Sequence, residues 1–273
     1  MLPPDDFALL SLCLATRPAV TPQTLWQAWS FAPAVVGPLV LMLAAYLGVL
    51  VRGHGQSGRG SAAGPACFLT GWTLVALALV SPLCRMAAAL AWAHMVQHVI
   101  LVALAPPLLV IGALLALPAH RRLPRCGPLA AGALYAVAIW GAHAPVVYQG
   151  ALDGATAHVL LVFGLLAVSA LFWYAAIGGA VRPDAGAAAP GAAVIAILCA
   201  LIQTGVLGAL LTFAPSPWYP VFADRTAAWG LTPLEDQQLA GLIMWVPMGA
   251  IYLAAGLAAA TAVVFGRSRT GAA

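Results

Sequence analysis

The chain alternates between long apolar runs and short segments rich in Gly, Pro and charge. A bilayer core of about 30 Å needs about 20 apolar residues of helix. Seven runs approach that length: residues 33–52, 65–83, 87–117, 128–144, 155–178, 191–214 and 237–265. The pattern predicts an all-α, polytopic membrane helical bundle of seven transmembrane helices over residues 33–265, with an N-terminal segment (1–32) and a short tail (266–273). The third run is too long for a straight span, since residues 87–117 at about 1.5 Å per residue would reach about 46 Å. Pro106 and Pro107 inside it remove two backbone donors and predict a kink or break there.

Composition agrees with this pattern. Of the 273 residues, 63% are apolar and 7% charged, against about 25% charged in an average globular chain, so there is too little charge to coat a soluble surface. The net charge of +4 comes from eleven Arg and no Lys, scattered at the ends of apolar runs, which orients a membrane protein and excludes a nucleic-acid partner.

With the N-terminus outside, the inner segments hold Arg52, Arg59, Arg121, Arg122, Arg125, Arg182, Arg267 and Arg269 against Asp184 alone. The outer segments hold Arg17, Arg85 and Arg225 against Asp5, Asp6, Asp153, Asp224, Glu235 and Asp236. Eight of eleven cations on one side predict N-out and C-in, with residues 266–273 a cytoplasmic tail. The segregation also supports an odd number of spans.

Two outer segments carry clustered aromatics. Residues 1–32 hold Trp26, Trp29 and Phe31 and read as an interfacial helix or headgroup anchor; residues 215–236 hold Trp218, Tyr219 and Trp229. The N-terminus opens with two Asp and no basic residue, so it fails the signal-peptide pattern and is expected to be retained. Cys13, Cys67, Cys84, Cys126 and Cys199 form no CxxC pair and read as packing residues. Nothing in the chain suggests a transporter made of two repeated halves.

Polar side chains within spans are costly and therefore functional candidates. His54 and His120 fall in the Arg-bearing inner loops and read as solvated. His94 and His98 lie in the outer half of the third span, His143 near the outer end of the fourth, and His158 near the outer start of the fifth. Spacing of four residues puts His94 and His98 on one helix face, about 6 Å apart at Cβ, close enough to share a metal ion. Buried histidines could instead bond carbonyls freed by the downstream prolines. Four imidazoles in one leaflet favour metal ligation, and imidazole suits copper, zinc, iron and nickel. Asp236 opens the seventh span on the same side and reads as a helix cap, a functional carboxylate, or both. Thioether ligands would select Cu(I); Met86, Met95, Met244 and Met248 lie in the third and seventh spans, with Met244 carried forward as a ligand candidate. No GxSxG, HExxH, Walker or dinucleotide fingerprint stands in a suitable setting, so no catalytic role is supported.

The run HMVQHVILVALAPPLLVIG (94–112), the stretch WGAHAPVVYQGAL (140–152), the Phe172–Trp173 pair and LTPLEDQQLAGLIMWVPMG (231–249) resemble the multi-span CtaG family of cytochrome c oxidase assembly factors. The likeness runs from about residue 70 to 260, and its last motif is the most specific. Residues matching the family's motifs are His94, Gln97, His98, Pro106, Pro107, His143, Tyr148, His158, Asp236, Gln237, Gln238 and Trp245. The chain departs from the pattern at Val162, where members often carry a second His one turn after His158, and at Ala240 and Met248, where Gly is common.

The resemblance implies a multi-pass protein of the bacterial inner membrane that matures a haem-copper oxidase. Its cargo would be copper, as Cu(I), received from a periplasmic donor and passed to an oxidase subunit's copper centre. The metal site expected from the residues is His94, His98, His143 and His158, with Asp236 and Met244. Three rivals stay open: the histidines as axial ligands of b-type haem in a redox protein, a metal-free scaffold that assembles oxidase subunits through small-residue helix faces, and, more weakly, a copper permease, whose ligands should recur through the inner halves of the spans, where none stand.

Overall fold

In the computed structural model, residues 19–53, 62–116, 126–181 and 188–270 are described, and among them there is helix and no strand. The long helices are α1 (Pro33–Gly53), α2 (Ala63–Val80), α4 (Ala91–Val99) running through a π turn (Ile100–Leu104) into α5 (Ala105–Ala116), α6 (Pro128–His143), α8 (Ala155–Val181), α9 (Ala189–Thr212) and α10 (Pro233–Thr270). Two short helices, α3 (Pro82–Ala87) and α7 (Pro145–Asp153), sit at one end of the bundle. Six segments are long and apolar enough to span a bilayer, and α6 with α7 makes a seventh if the pair, bent by 70°, counts as one. The chain is a multi-pass membrane protein.

Backbone chemistry explains the breaks. Ala144 precedes Pro145 and is pushed to extended backbone (φ −61°, ψ 127°), which ends α6 and turns the chain into α7. Ser81 before Pro82 does the same to α2, and its Oγ accepts the Leu83 N–H at 3.3 Å to start α3. Leu90 is extended as well, so the long third run is not one helix: residues 82–90 form α3 and a turn, and the span itself begins at Ala91. Pro106 and Pro107 act one turn earlier than the expected kink. A π turn stands just before them, where the Ala105 N–H reaches back five residues to the Ile100 carbonyl.

Among residues 19–32 the only helix is a single 3₁₀ turn (Leu25–Gln27), so no interfacial α-helix occurs there; residues 1–18, His54 and His120 lie outside the described residues. At the other end α10 runs on to Thr270, past the expected start of the tail at 266. Thr232 and Glu235 close a capping box at its start: the Thr232 N–H donates to Glu235 Oε2 (2.8 Å) and the Glu235 N–H to Thr232 Oγ1 (3.2 Å).

Between helices in lipid there is little hydrophobic driving force, so close backbone approach carries the packing. α9 and α10 cross at Gly208 and Gly241, where a Cβ on Gly241 would lie 2.6 Å from the Gly208 carbonyl oxygen. α2 and α5 meet at Gly71 and Gly112 in the same way, a Cβ on Gly112 falling 2.6 Å from the Phe68 Cβ. Around these crossings lie two cores. One is aromatic, with Tyr135, Phe172, Trp173 and Tyr252 almost fully buried; Trp173 stacks on Tyr252 (5.4 Å) and the Tyr135 and Tyr252 hydroxyls bond each other. The other joins α1, α2 and α5 through the stacked Tyr46–Phe68 pair (3.6 Å).

The cysteine reading needs a correction. Cys67, Cys126 and Cys199 are free, but Cys84 in α3 is disulfide-bonded, with its partner outside the described residues.

Candidate metal site

The four histidines outside the loops lie at the end of the bundle that carries α3 and α7. A cavity of about 30 Å³ opens there between α4, α7 and α8, lined by His94, His98 and His158 with Gln97, Tyr148 and apolar side chains. That volume holds one ion or one or two waters. His98 and His158 are 6% and 2% exposed. His94 Nδ1, His98 Nε2 and both nitrogens of His158 are buried without a hydrogen-bond partner, which is rare for buried polar atoms. The main chain of Ala151 is a polar neighbour of the His158 ring but closes no bond of normal geometry.

His143 approaches from α6. Its ring stands edge-on to His98 with centroids 5.1 Å apart. Two imidazoles sharing an ion, each nitrogen about 2.0–2.1 Å from it, have centroids about 5 Å apart at a tetrahedral angle. The His143 Nδ1–H donates to the Ile139 carbonyl at 2.8 Å, which fixes the tautomer and leaves the Nε2 lone pair for a ligand. His94 tilts against Tyr148, centroids 4.8 Å apart. Imidazoles from α4, α6 and α8 thus gather at one level of the bundle. As placed, however, no three His, Cys, Asp or Glu side chains among the described residues stand together in metal-holding geometry.

Asp236 and Met244 are not among the residues lining the cavity. Met244 is fully buried in the aromatic core. Asp236 is fully buried too, and its carboxylate is engaged: Oδ2 accepts the Ala91 N–H (2.7 Å) and Oδ1 the Trp92 N–H (3.0 Å). It is a helix cap, but of α4 and not of its own helix, so it holds the N-terminus from which His94 and His98 project.

Three side chains of the motifs have backbone duties set by prolines four positions downstream of a carbonyl. Pro82 has no N–H for the Ala78 carbonyl, and Gln97 Nε2 donates to it at 2.7 Å. Pro106 leaves the Val102 carbonyl bare, and the Trp173 indole N–H fills it at 3.1 Å. Pro215 leaves the Leu211 carbonyl, and Gln237 Nε2 reaches it at 3.4 Å while its Oε1 accepts the Trp218 N–H at 2.6 Å. The histidines bond none of these carbonyls. The rule was readable from spacing, since each orphan carbonyl lies at i−4 from a proline.

Residues 215–236 were read only as an aromatic outer segment; the part between α9 and α10, residues 213–232, covers this end of the molecule. The Tyr219 hydroxyl donates to the His143 carbonyl (3.0 Å), Arg225 donates to the Ala88 carbonyl (3.3 Å) and the Trp229 indole to the Val20 carbonyl (3.0 Å). Tyr219 packs on Tyr148 with centroids 4.3 Å apart, and its burial holds the phenol protonated as the donor.

No curated protein and no solved structure matches the chain. The family model for the cytochrome c oxidase caa3 assembly factor matches residues 44–264, a stretch that contains every helix from the second half of α1 to the end of the apolar part of α10. The resemblance carried by the histidine, tyrosine and DQQ motifs is thereby confirmed, and the chain belongs to the CtaG family of cytochrome c oxidase assembly factors.

Proposed function

We propose that the protein takes up copper as cargo at the histidine cavity and passes it to the copper centre of a haem-copper oxidase, in the outer leaflet of a bacterial inner membrane. The observation that carries this reading is the set of unpartnered imidazole nitrogens of His94, His98 and His158 around one ion-sized cavity, with the His143 lone pair free beside His98. Buried polar atoms left bare are costly unless a ligand completes them.

The absence of a free carboxylate at the cavity favours a monocation. Asp236 spends its charge on α4, so Cu(I) would leave one uncompensated charge in an apolar wall where a dication would leave two. The sidedness rests on the Arg distribution, and the disulfide at Cys84, in the segment beside the cavity, belongs with an oxidising compartment.

The test is copper per protein after anaerobic Cu(I) loading of the wild type and of His94→Ala/His98→Ala. The wild type should bind and the double variant should lose most of its copper. Equal stoichiometry would reject the ligand assignment, and an oxidase that still matures with its copper centre filled in cells carrying the double variant would favour the metal-free scaffold.

A further inference from the structure

Two of the four clustered histidines are braced by one residue of the outer segment. α6 stops at His143, so the carbonyl of that residue lies past the helix's own hydrogen-bond ladder. The Tyr219 hydroxyl supplies a donor to it at 3.0 Å. Since the His143 Nδ1–H is already on the Ile139 carbonyl, main chain and ring of this histidine are both held. The Tyr219 ring packs on Tyr148 with centroids 4.3 Å apart, and Tyr148 in turn packs on His94 at 4.8 Å. One side chain therefore reaches an imidazole of α6 through its hydroxyl and an imidazole of α4 through a relayed ring contact. Tyr219 is itself fixed. It is buried, it stands extended (φ −118°, ψ 93°) before Pro220, and the N–H of its neighbour Trp218 is tied to Gln237 Oε1 of α10 at 2.6 Å.

Building on the copper reading, we propose that Tyr219 is a positioning residue of the copper site: it sets His143 and His94 in the places from which they ligate, and so ties the outer 213–232 segment to the metal. Its action is preorganisation. An imidazole that must be collected from several orientations gives up binding energy to that ordering, and a phenol bonded to the main chain has done part of the ordering beforehand. The two contacts of Tyr219 run to α6 and, through Tyr148, to α4. His158, on α8, is held by neither. By reciprocity, copper bound at the site should hold the 213–232 segment more firmly.

The experiment measures the Cu(I) dissociation constant of the full chain in bilayer nanodiscs, anaerobically, by competition with bathocuproine disulfonate. Tyr219→Phe keeps the ring on Tyr148 and removes only the hydroxyl. It should weaken copper binding about threefold or more, with about fifteenfold as the ceiling set by one interhelical hydrogen bond. Tyr219→Leu removes the ring as well and should weaken binding by about a further threefold. Trp229→Phe breaks a different tie of the same segment, the bond to the Val20 carbonyl, and should stay within about twofold of wild type. In a His143→Ala chain Tyr219→Phe should bring no further loss, whereas in His158→Ala it should bring its full loss; a merely structural role would weaken both alike. A Tyr219→Phe loss no larger than that of Trp229→Phe, or equal losses in the two histidine backgrounds, would overturn the proposal, and a Leu variant no weaker than Phe would overturn the reach to His94. If either histidine background holds no measurable copper, the comparison of Tyr219→Phe with Trp229→Phe decides. Wild type that binds no copper would sink the binding reading itself, so the two failures are distinct.

Discussion

Replacing Asp236 tests the tie between the DQQ motif and the histidine helix. In Asp236→Ala the Ala91 and Trp92 N–H groups lose acceptors now at 2.7 and 3.0 Å. A hydrogen bond to a charged group contributes about 1.5–3 kcal/mol, and a carboxylate at a partly buried helix N-terminus up to about 2 kcal/mol through the dipole. Neutral interhelical bonds in a membrane protein average only about 0.6 kcal/mol, because the unfolded chain in lipid finds other partners. The charge and the buried N-terminus outweigh that discount, so the sum should be about 2–4 kcal/mol for Ala. Asn, which keeps one acceptor oxygen, should cost about half as much. Far-UV circular dichroism during SDS titration in mixed micelles reads the unfolding equilibrium. Hydrogen exchange should quicken at the amides of 91–95 and stay unchanged in α9. A cost for Ala within about 0.5 kcal/mol of zero, or exchange that quickens throughout the bundle alike, would refute the view of Asp236 as the cap of α4.

Three further outcomes follow from the packing. Gly241→Ala should destabilise by at least the ~1–3 kcal/mol usual for overpacking, because the neighbour is the Gly208 backbone at 2.6 Å, whereas Gly37→Ala, with nothing within 4 Å, should be neutral or slightly stabilising by the same SDS titration. Gln237→Leu should cost about 1–3 kcal/mol by baring the Leu211 carbonyl and the Trp218 N–H, and red-shifted tryptophan emission would report the loosened segment. Trp173→Phe, which keeps the ring but not the N–H, should cost about 0.6–1.7 kcal/mol; a loss no larger than that of Trp140→Phe on the exposed face of α6 would show that the bond to Val102 contributes nothing.

The span count was legible because twenty-residue apolar runs have few other readings in a bilayer, and the matching of His94, His98, His143 and His158 to one end followed from their places in those runs. Residues 87–90 escaped because Ala and Leu are equally apolar in a helix or a turn, and nothing in composition marks Leu90 as extended. Asp236 was legible as a cap, but which N-terminus it caps depends on how α10 and α4 pack, a long-range fact. The short reach of α6 could be seen in Pro145, yet the placement of α7 across the cavity could not. Cys84 misled for a simple reason: pairing partners need not share a spacing motif.

The proline–donor pairs impose an order on biogenesis. A bare carbonyl in hydrocarbon costs several kcal/mol, so a segment with one is poorly suited to leave the translocon alone. Ala78 is relieved by Gln97 and Leu211 by Gln237, in each case from the next span to be synthesised, which couples α2 with α4 and α9 with α10 as cotranslational hairpins. Val102 must wait for Trp173, two spans later, so the histidine helix reaches its final form only after α8 has emerged from the ribosome and entered the membrane.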